Sequence, residues 1–352
     1  MEEHKSGRGF FKRMVLGCGV LVLLAPLLFV LTACVLALFN GRVGAPTDYS
    51  ASRLLEEPPP SLSEPLTLKI VTYNIASAYG FTTNRPERMR AIADVLTKLD
   101  PDIVGFQEAF VKNDRALLLD ELSGSRLQHF VQFPSGTVGN GLLIASAWPI
   151  VEHYFHRFEQ SNPWYKLWEG DWWAGKGVGL ARIELPGGAV VDVYNTHAQA
   201  GRRHPTGYRE VRTSQMQGLS RFVAETATGS GPAFVVGDFN TKPDRDDLQL
   251  AINRLNLERV MSIDSGIDHI FAVSNPQYRF EVLDTQVIKG KVQGSKGHVF
   301  LARPPTLKEA RSIYFGPGEM TILSDHSGFM STVRIVPQGA GPKAPQALHA
   351  EN

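Results

Sequence analysis

Phe234-Val235-Val236-Gly237-Asp238-Phe239-Asn240 is the stretch on which the fold class of this chain turns. An apolar run closed by breakers, here Pro243 and Asp244, reads as a buried strand. Side chains two apart on a strand leave the same face. Asp238 and Asn240 therefore project together from a buried strand end. A carboxylate and an amide there cost desolvation energy unless something partners them. Two readings fit: an Asx turn that closes the strand, or one corner of a site.

The same event recurs along the chain. Leu68 to Asn74 alternates like a strand and ends on Asn74, and Ile103-Val104-Gly105-Phe106 runs into Gln107-Glu108. Ala189 to His197 delivers His197, Ile267 to Phe271 carries Asp268, and Thr321 to His326 carries Asp325 and His326. Further strands are predicted over 141–146, 178–185 and 280–288. Met89, Ile92, Ala93, Leu96 and Leu99 fall at helical spacing over Arg85–Leu99, with Pro101 as the stop. Two more helices are expected over Asp114–Leu122 and Arg209–Thr226. Any one strand end is explained by a turn, a surface residue or a satisfied core histidine. Asn74, Glu108, His197, Asp238, Asn240, Asp268, Asp325 and His326 together are not, because clustered carboxylates repel unless a cation neutralises them.

Charge is balanced, with 36 Lys and Arg against 35 Asp and Glu. That argues against a protein held on nucleic acid mainly by phosphate contacts, which shows a basic face. Cys18 and Cys34 both lie in the N-terminal apolar run, so the rest of the chain carries no disulfide or thiolate ligand. Residues 1–13 are basic, and no charge occurs from Met14 to Phe39. A bilayer needs about 20 apolar residues, and a signal-peptide core is only ~7–15. Residues 14–40 are therefore expected to form one transmembrane signal anchor. The positive flank keeps the N-terminus cytoplasmic and sends the domain across the membrane. Leu31-Thr32-Ala33-Cys34 also resembles a bacterial lipobox, which would anchor the domain through a lipidated Cys34 instead. Residues 41–65, with Pro58-Pro59-Pro60, read as a linker. The globular domain is expected over 66–336, with a Gly-, Lys- and Pro-rich excursion at 289–320 and a disordered tail over 337–352. Nothing here speaks to oligomeric state.

Tyr73-Asn74, Gln107-Glu108, Asn195-Thr196-His197, Gly237-Asp238-Phe239-Asn240, Ile267-Asp268-His269-Ile270-Phe271 and Ser324-Asp325-His326 occur in the order seen in the endonuclease/exonuclease/phosphatase superfamily. The chain resembles that family over about residues 66–336. The resemblance implies an α+β fold, a four-layer αββα sandwich of two mixed β-sheets with helices outside. It implies phosphoester cleavage dependent on Mg²⁺, with Mn²⁺ as a substitute. In that scheme Glu108, Asn74 and Asp325 hold the metal, whose oxygen preference suits them. His326 is the base for water, and Asp268 orients it. Asp238 and Asn240 position nucleophile and phosphate, and His197 donates to a phosphoryl oxygen.

Gly170-Asp171-Trp172-Trp173-Ala174-Gly175-Lys176-Gly177 resembles a neutral sphingomyelinase motif, an Asp followed five residues later by Lys-Gly. Thr196-His197-Ala198-Gln199-Ala200 is similar to the same branch. Asp171, Lys176, Trp172 and Trp173 become substrate-binding candidates. Asp171 and Lys176 either form an exposed ion pair worth ~0–1 kcal/mol, or the lysine turns to the phosphate. Trp164, Trp168, Trp172, Trp173 and Tyr165 form a core patch or an interfacial surface at headgroup depth. The expectation is a membrane-anchored sphingomyelin phosphodiesterase, with a phospholipid as partner; the rival is an extracytoplasmic nuclease or phosphatase on the same scaffold. Only 27 residues separate Asn240 from Asp268, shorter than that branch implies, so pocket structure built there is in question.

Overall fold

The computed structural model describes residues 24–35, 38–40, 47–78, 82–163, 165–166, 169–201, 207–297 and 318–338. The chain divides into two units, Met1–Val43 and Gly44–Asn352. In the first, residues 24–35 and 38–40 are helical with exposed leucines, valines and Phe29. Among the described residues, no helix is long and apolar enough to cross a membrane. The transmembrane helix expected over 14–40 is therefore not borne out there, and its first part lies outside the described residues.

The second unit is an α+β sandwich. Its elements in order are α1 (Arg53–Glu56), β1 (Leu66–Ser77), α2 (Arg85–Leu99), β2 (Ile103–Ala109), α3 (Lys112–Glu121), β3 (His129–Gln132), β4 (Leu143–Ser146), β5 (Ile150–Arg157), α4 (Asp171–Ala174), β6 (Gly177–Glu184), β7 (Val190–His197) and α5 (Arg209–Thr226). After these come β8 (Ala233–Asp238), α6 (Asp246–Leu255), β9 (Leu257–Arg259), β10 (Asp268–Val273), β11 (Tyr278–Ile288), β12 (Lys291–Gln293), β13 (Met320–Ile322) and β14 (Gly328–Pro337). One sheet runs β11-β14-β1-β2-β4-β3 and the other β5-β6-β7-β8-β10-β9. Each is mixed, since β1–β2 and β7–β8 are parallel and the other neighbours antiparallel.

Three apolar layers follow from strand parity. Leu68 and Ile70 of β1, Ile103 of β2, Val191 and Val193 of β7, Phe234 and Val236 of β8 and Ile270 of β10 fill the space between the sheets. The alternate residues Val71, Val104 and Phe106 pack outward on Met89, Ile92 and Leu96 of α2. Tyr194, Val235 and Phe271 pack outward on Met216, Leu219 and Phe222 of α5 and Leu248 of α6. β8 reads as a continuous apolar run because both its faces are covered. Gly105 marks the closest approach of the sheets: a Cβ there would lie 2.6 Å from Val236 and 3.2 Å from Asn195.

Several local expectations change. β5 and α6 were not expected, and α6 with β9 occupies the short interval between Asn240 and Asp268. The excursion at 289–320 begins and ends in the ribbon β12–β13, with 298–317 outside the described residues. Residues 41–65 read as a linker from their Pro, Gly and Ser content, and the described part, 47–65, makes specific bonds to the rest of its unit. Thr47 N donates to Phe155 O at 3.0 Å, Ser52 Oγ to Glu152 at 2.7 Å, and Leu62 N to the Tyr278 hydroxyl at 3.1 Å. Buried Arg182 of β6 reaches Ser52 and Thr226 O as well as Glu152. Extended, proline-bearing chain leaves its backbone groups free for such bonds. The tail from 339 lies outside the described residues.

Candidate active site

Parity also builds the site. Asn74, His197, Asp238 and Asp268 continue the inward-facing rows of β1, β7, β8 and β10 beyond the apolar core. Register brings the ends together: His197 lies opposite Asp238, and Asp238 opposite Asp268. Glu108 has the wrong parity, since Phe106 two residues before it packs outward. Its backbone lies in the left-handed region, φ 54°, which costs a non-glycine residue of order 1 kcal/mol or more. That turn brings the carboxylate to Asn74, whose Nδ2 donates to Glu108 Oε1 at 3.0 Å and to Asp238 Oδ2 at 3.0 Å.

Around this centre, His326 Nδ1 lies 2.9 Å from Asp268 Oδ2. His326 Nε2 lies 3.7 Å and His197 Nε2 3.5 Å from Asp238 Oδ2. Asn240, also left-handed at φ 51°, donates its backbone N–H to Asp238 Oδ1 at 2.9 Å and its amide to Ala198 O at 3.1 Å. Ser324 Oγ donates to Asn74 O at 2.6 Å and accepts the His326 N–H at 3.2 Å, which ties the His326 turn to the end of β1. Asp325 is exposed beside His326, and its charge reaches Glu108 and Asp268.

Burial pushes the Glu108 carboxyl upward, and Asp325 and Asp238 add to that against the Asn74 bond. Burial and the Asp238 charge push Asp268 upward. Burial also acts on Asp238, but His326, His197 and Lys176 together hold it below the usual carboxylate range. Burial opposes the His326 cation, yet Asp238, Asp268 and Asp325 outweigh it and push its pKa upward. The acidic surroundings thus favour the protonated imidazole. His326 can act as a base only where the surrounding negative charge is neutralised.

The ion pair at Asp171 and Lys176 forms, but it is not a surface pair. Lys176 Nζ lies 2.8 Å from Asp171 Oδ1, with side-chain exposures of 1% and 13%. Lys176 also donates to Ala198 O at 2.7 Å, the same carbonyl that takes the Asn240 amide. Asp171 accepts from Gln199 Nε2 at 2.5 Å and Ala200 N at 3.1 Å. Burial raises the Asp171 carboxyl against the pull of Lys176. Trp172 and Trp173 on α4 meet edge to face at 4.7 Å and are half-buried. Trp164 and Trp168 lie outside the described residues.

Three participants did not stand out as site residues in the sequence. Gln199 is fully buried and links Asp171 to α5, where Gln215 Oε1 accepts the Gln199 N–H at 2.8 Å. Gln107 Nε2 donates to Asn195 Oδ1 at 2.7 Å, an amide bridge between the sheets beneath the site. Ser324 was seen only as a neighbour of Asp325. Their signal was the polar residue itself, interrupting a buried pattern.

The donor set suits a hard cation. Glu108 and Asp238 converge on one amide group, and the buried Asp268 Oδ1 has no hydrogen-bond partner among the described residues. Asp238, Asp268 and His326 offer ligand atoms within 4.8 Å of one another. In part the His326–Asp268 bond itself accounts for that closeness. Oxygen donors of this kind favour Mg²⁺ or Mn²⁺.

Two mixed sheets lie back to back, and acids, amides and histidines gather at one set of their strand ends. This chain belongs to the endonuclease/exonuclease/phosphatase family, whose profile matches residues 71–326. Among curated relatives, it is similar to the human protein named sphingomyelin phosphodiesterase 2, 30% identical over 182 residues, covering 51% of this chain and 42% of the relative. It is equally similar to the inositol phosphosphingolipids phospholipase C of Schizosaccharomyces pombe, 31% identical over 182 residues, covering 50% and 42%. The match thus spans less than half the length of these relatives. Among solved structures, a beta toxin variant of Staphylococcus aureus with bound magnesium ions aligns at TM-score 0.55 and 19% identity, covering 76% of this chain and 99% of that one. That likeness speaks to the fold.

Proposed function

We propose that the chain is a metal-dependent phosphodiesterase acting on a membrane phospholipid, most simply sphingomyelin, with release of the phosphorylated headgroup. One observation carries the reading: a single amide, Asn74, joins Glu108 to Asp238, and Asp238 lies within reach of both His197 and His326. The relatives named for sphingolipid phosphodiester cleavage, and the Asp171–Lys176 pair held against the Ala198 carbonyl, support the choice of substrate. Glu108, Asn74 and Asp325 would hold Mg²⁺, with Mn²⁺ as a substitute. Bound there, the ion would supply Lewis-acid polarisation of the phosphoryl oxygen. His326 takes the proton of the attacking water, and Asp268 at Nδ1 fixes its tautomer and orientation. Asp238, held by the Asn240 backbone, orients the water, while Asn240 and His197 offer donors to the phosphoryl group. Trp172, Trp173 and Tyr165 would meet the lipid interface. The uncharged segment 14–40, or a lipid on Cys34, would tether the domain on the outer side of the membrane.

The test is incubation of the purified chain with sphingomyelin, phosphatidylcholine and plasmid DNA in parallel, with and without Mg²⁺. Release of a phosphorylated headgroup from lipid, abolished by chelation, is expected. Cleavage of DNA with lipid left intact would overturn the substrate assignment. Protease digestion of intact cells tests the topology, since a protected domain would reverse the orientation.

A further inference from the structure

A cleft of about 490 Å³ borders the site and shares Asp325 and His326 with it. Its remaining lining includes Tyr73, Lys289 and Lys291, none of which has a role in the scheme above. The two lysines flank Gly290, whose carbonyl accepts the Leu323 N–H at 3.1 Å. That bond ties the lysine-bearing turn to the segment carrying Asp325 and His326. Both lysines are exposed, and neither side chain makes a hydrogen bond or ion pair with another described residue.

Tyr73 is the second observation. It is 1% exposed, it is among the residues lining the cleft, and its hydroxyl has no hydrogen-bond partner among the described residues. A buried hydroxyl without a partner has lost its water and gained nothing in return, so its position needs a reason. Burial pushes its pKa upward, so it stays a neutral donor at physiological pH. Close to Tyr73 sits the guanidinium of buried Arg88, which bonds the carbonyls of Ile75, Ala76 and Leu323. In the lining itself, Lys289 and Lys291 outnumber the one carboxylate, Asp325.

We propose that this cleft is a phosphoryl-anion subsite, with Lys289 and Lys291 as point charges at its mouth and the Tyr73 hydroxyl as a donor in its wall. A phosphomonoester carries about −1.5 to −2 charge and three strong acceptor oxygens at neutral pH. That matches two ammonium groups and one hydroxyl better than a singly charged carboxylate does. The anion comes either from a soluble phosphomonoester or from a phosphorylated lipid headgroup at the bilayer surface. Neither source depends on the hydrolytic reading, because the ligand is bound and not cleaved.

The test is calorimetric titration of the purified full chain with inorganic phosphate, without divalent ions, for wild type, Tyr73→Phe and Lys289→Ala/Lys291→Ala. Thermal unfolding of each variant runs in parallel; exposed lysines leave the double variant folded. The double variant should bind phosphate at least ~10-fold more weakly, the scale of losing charge-assisted contacts, and Tyr73→Phe should bind it a few-fold more weakly. Flotation with phosphatidylcholine vesicles, with and without phosphatidic acid, separates the sources. Preference for phosphatidic acid that vanishes in the double variant assigns a lipid headgroup; phosphate binding without that preference assigns a soluble ester. Phosphate binding equal in wild type and double variant, or absent from both, overturns the proposal whatever the vesicles do.

Discussion

Lys176→Ala separates a structural ion pair from a surface one. An exposed pair would contribute ~0–1 kcal/mol. Here the lysine side chain is 1% exposed and its partner 13%. Removing one member of a buried pair typically costs 3–5 kcal/mol, because the other charge is left uncompensated. The loss should fall at the low end, ~3 kcal/mol, since Asp171 keeps the Gln199 amide and the Ala200 N–H as donors. At roughly 2–4 °C per kcal/mol for a large domain, the melting temperature should drop by about 6–12 °C. Asp171→Asn in the same background should restore part of that, because an amide needs no countercharge. Calorimetry of the four members of the Lys176→Ala, Asp171→Asn cycle reads the coupling directly, expected near ~2 kcal/mol. Lys176 also lowers the charging cost of Glu108 and Asp238. Turnover of sphingomyelin, measured well below every melting temperature, should therefore fall along with stability. Additive melting shifts, or a Lys176→Ala protein melting within about 2 °C of wild type, would refute the argument from burial.

Glu108→Gln should melt no lower than wild type without metal, because it removes a carboxylate that burial and its acidic neighbours make costly. Wild type should gain ~2.7 kcal/mol at a hundredfold excess of Mg²⁺ over its dissociation constant, and the variant should gain little; thermal shift with and without Mg²⁺ reads both. Asp268→Asn should cut kcat by ~10²–10⁴ with little change in KM, and should lower the His326 pKa followed by NMR; a fall in melting temperature alone would make Asp268 structural. Burial lowers the His269 pKa from 6.5 to about 4. Its stabilising contribution is therefore complete above pH 6.5 and is lost as pH falls toward 4, on the order of 3 kcal/mol in all. His269→Gln should flatten the fall of stability across that window, and an unchanged slope would exclude His269 as its source.

Much of this was legible in the sequence, for a local reason. Strand parity is a property of neighbours two apart, so Phe234, Val236 and Asp238 on one row, or Ile70 and Asn74 on another, declare their common face before any fold is known. Six strand ends bearing acids, amides and histidines then require one meeting place, and the order of their motifs identifies the family. Parity was silent on Glu108, which reaches Asn74 only through a left-handed backbone that distant packing must impose. It was silent on whether Asp171 and Lys176 face water, since five residues of spacing say nothing about the β7 extension and the Gln199 amide that enclose them. Composition marked residues 41–65 as a linker, but Pro and Ser content does not say whether Phe155, Glu152 or Tyr278 will be there to bond with residues 47–65. Residue type and periodicity are set by the chain alone; burial, countercharge and the partner across the sheet are made by segments far apart in sequence, and only the tertiary structure brings them within reach.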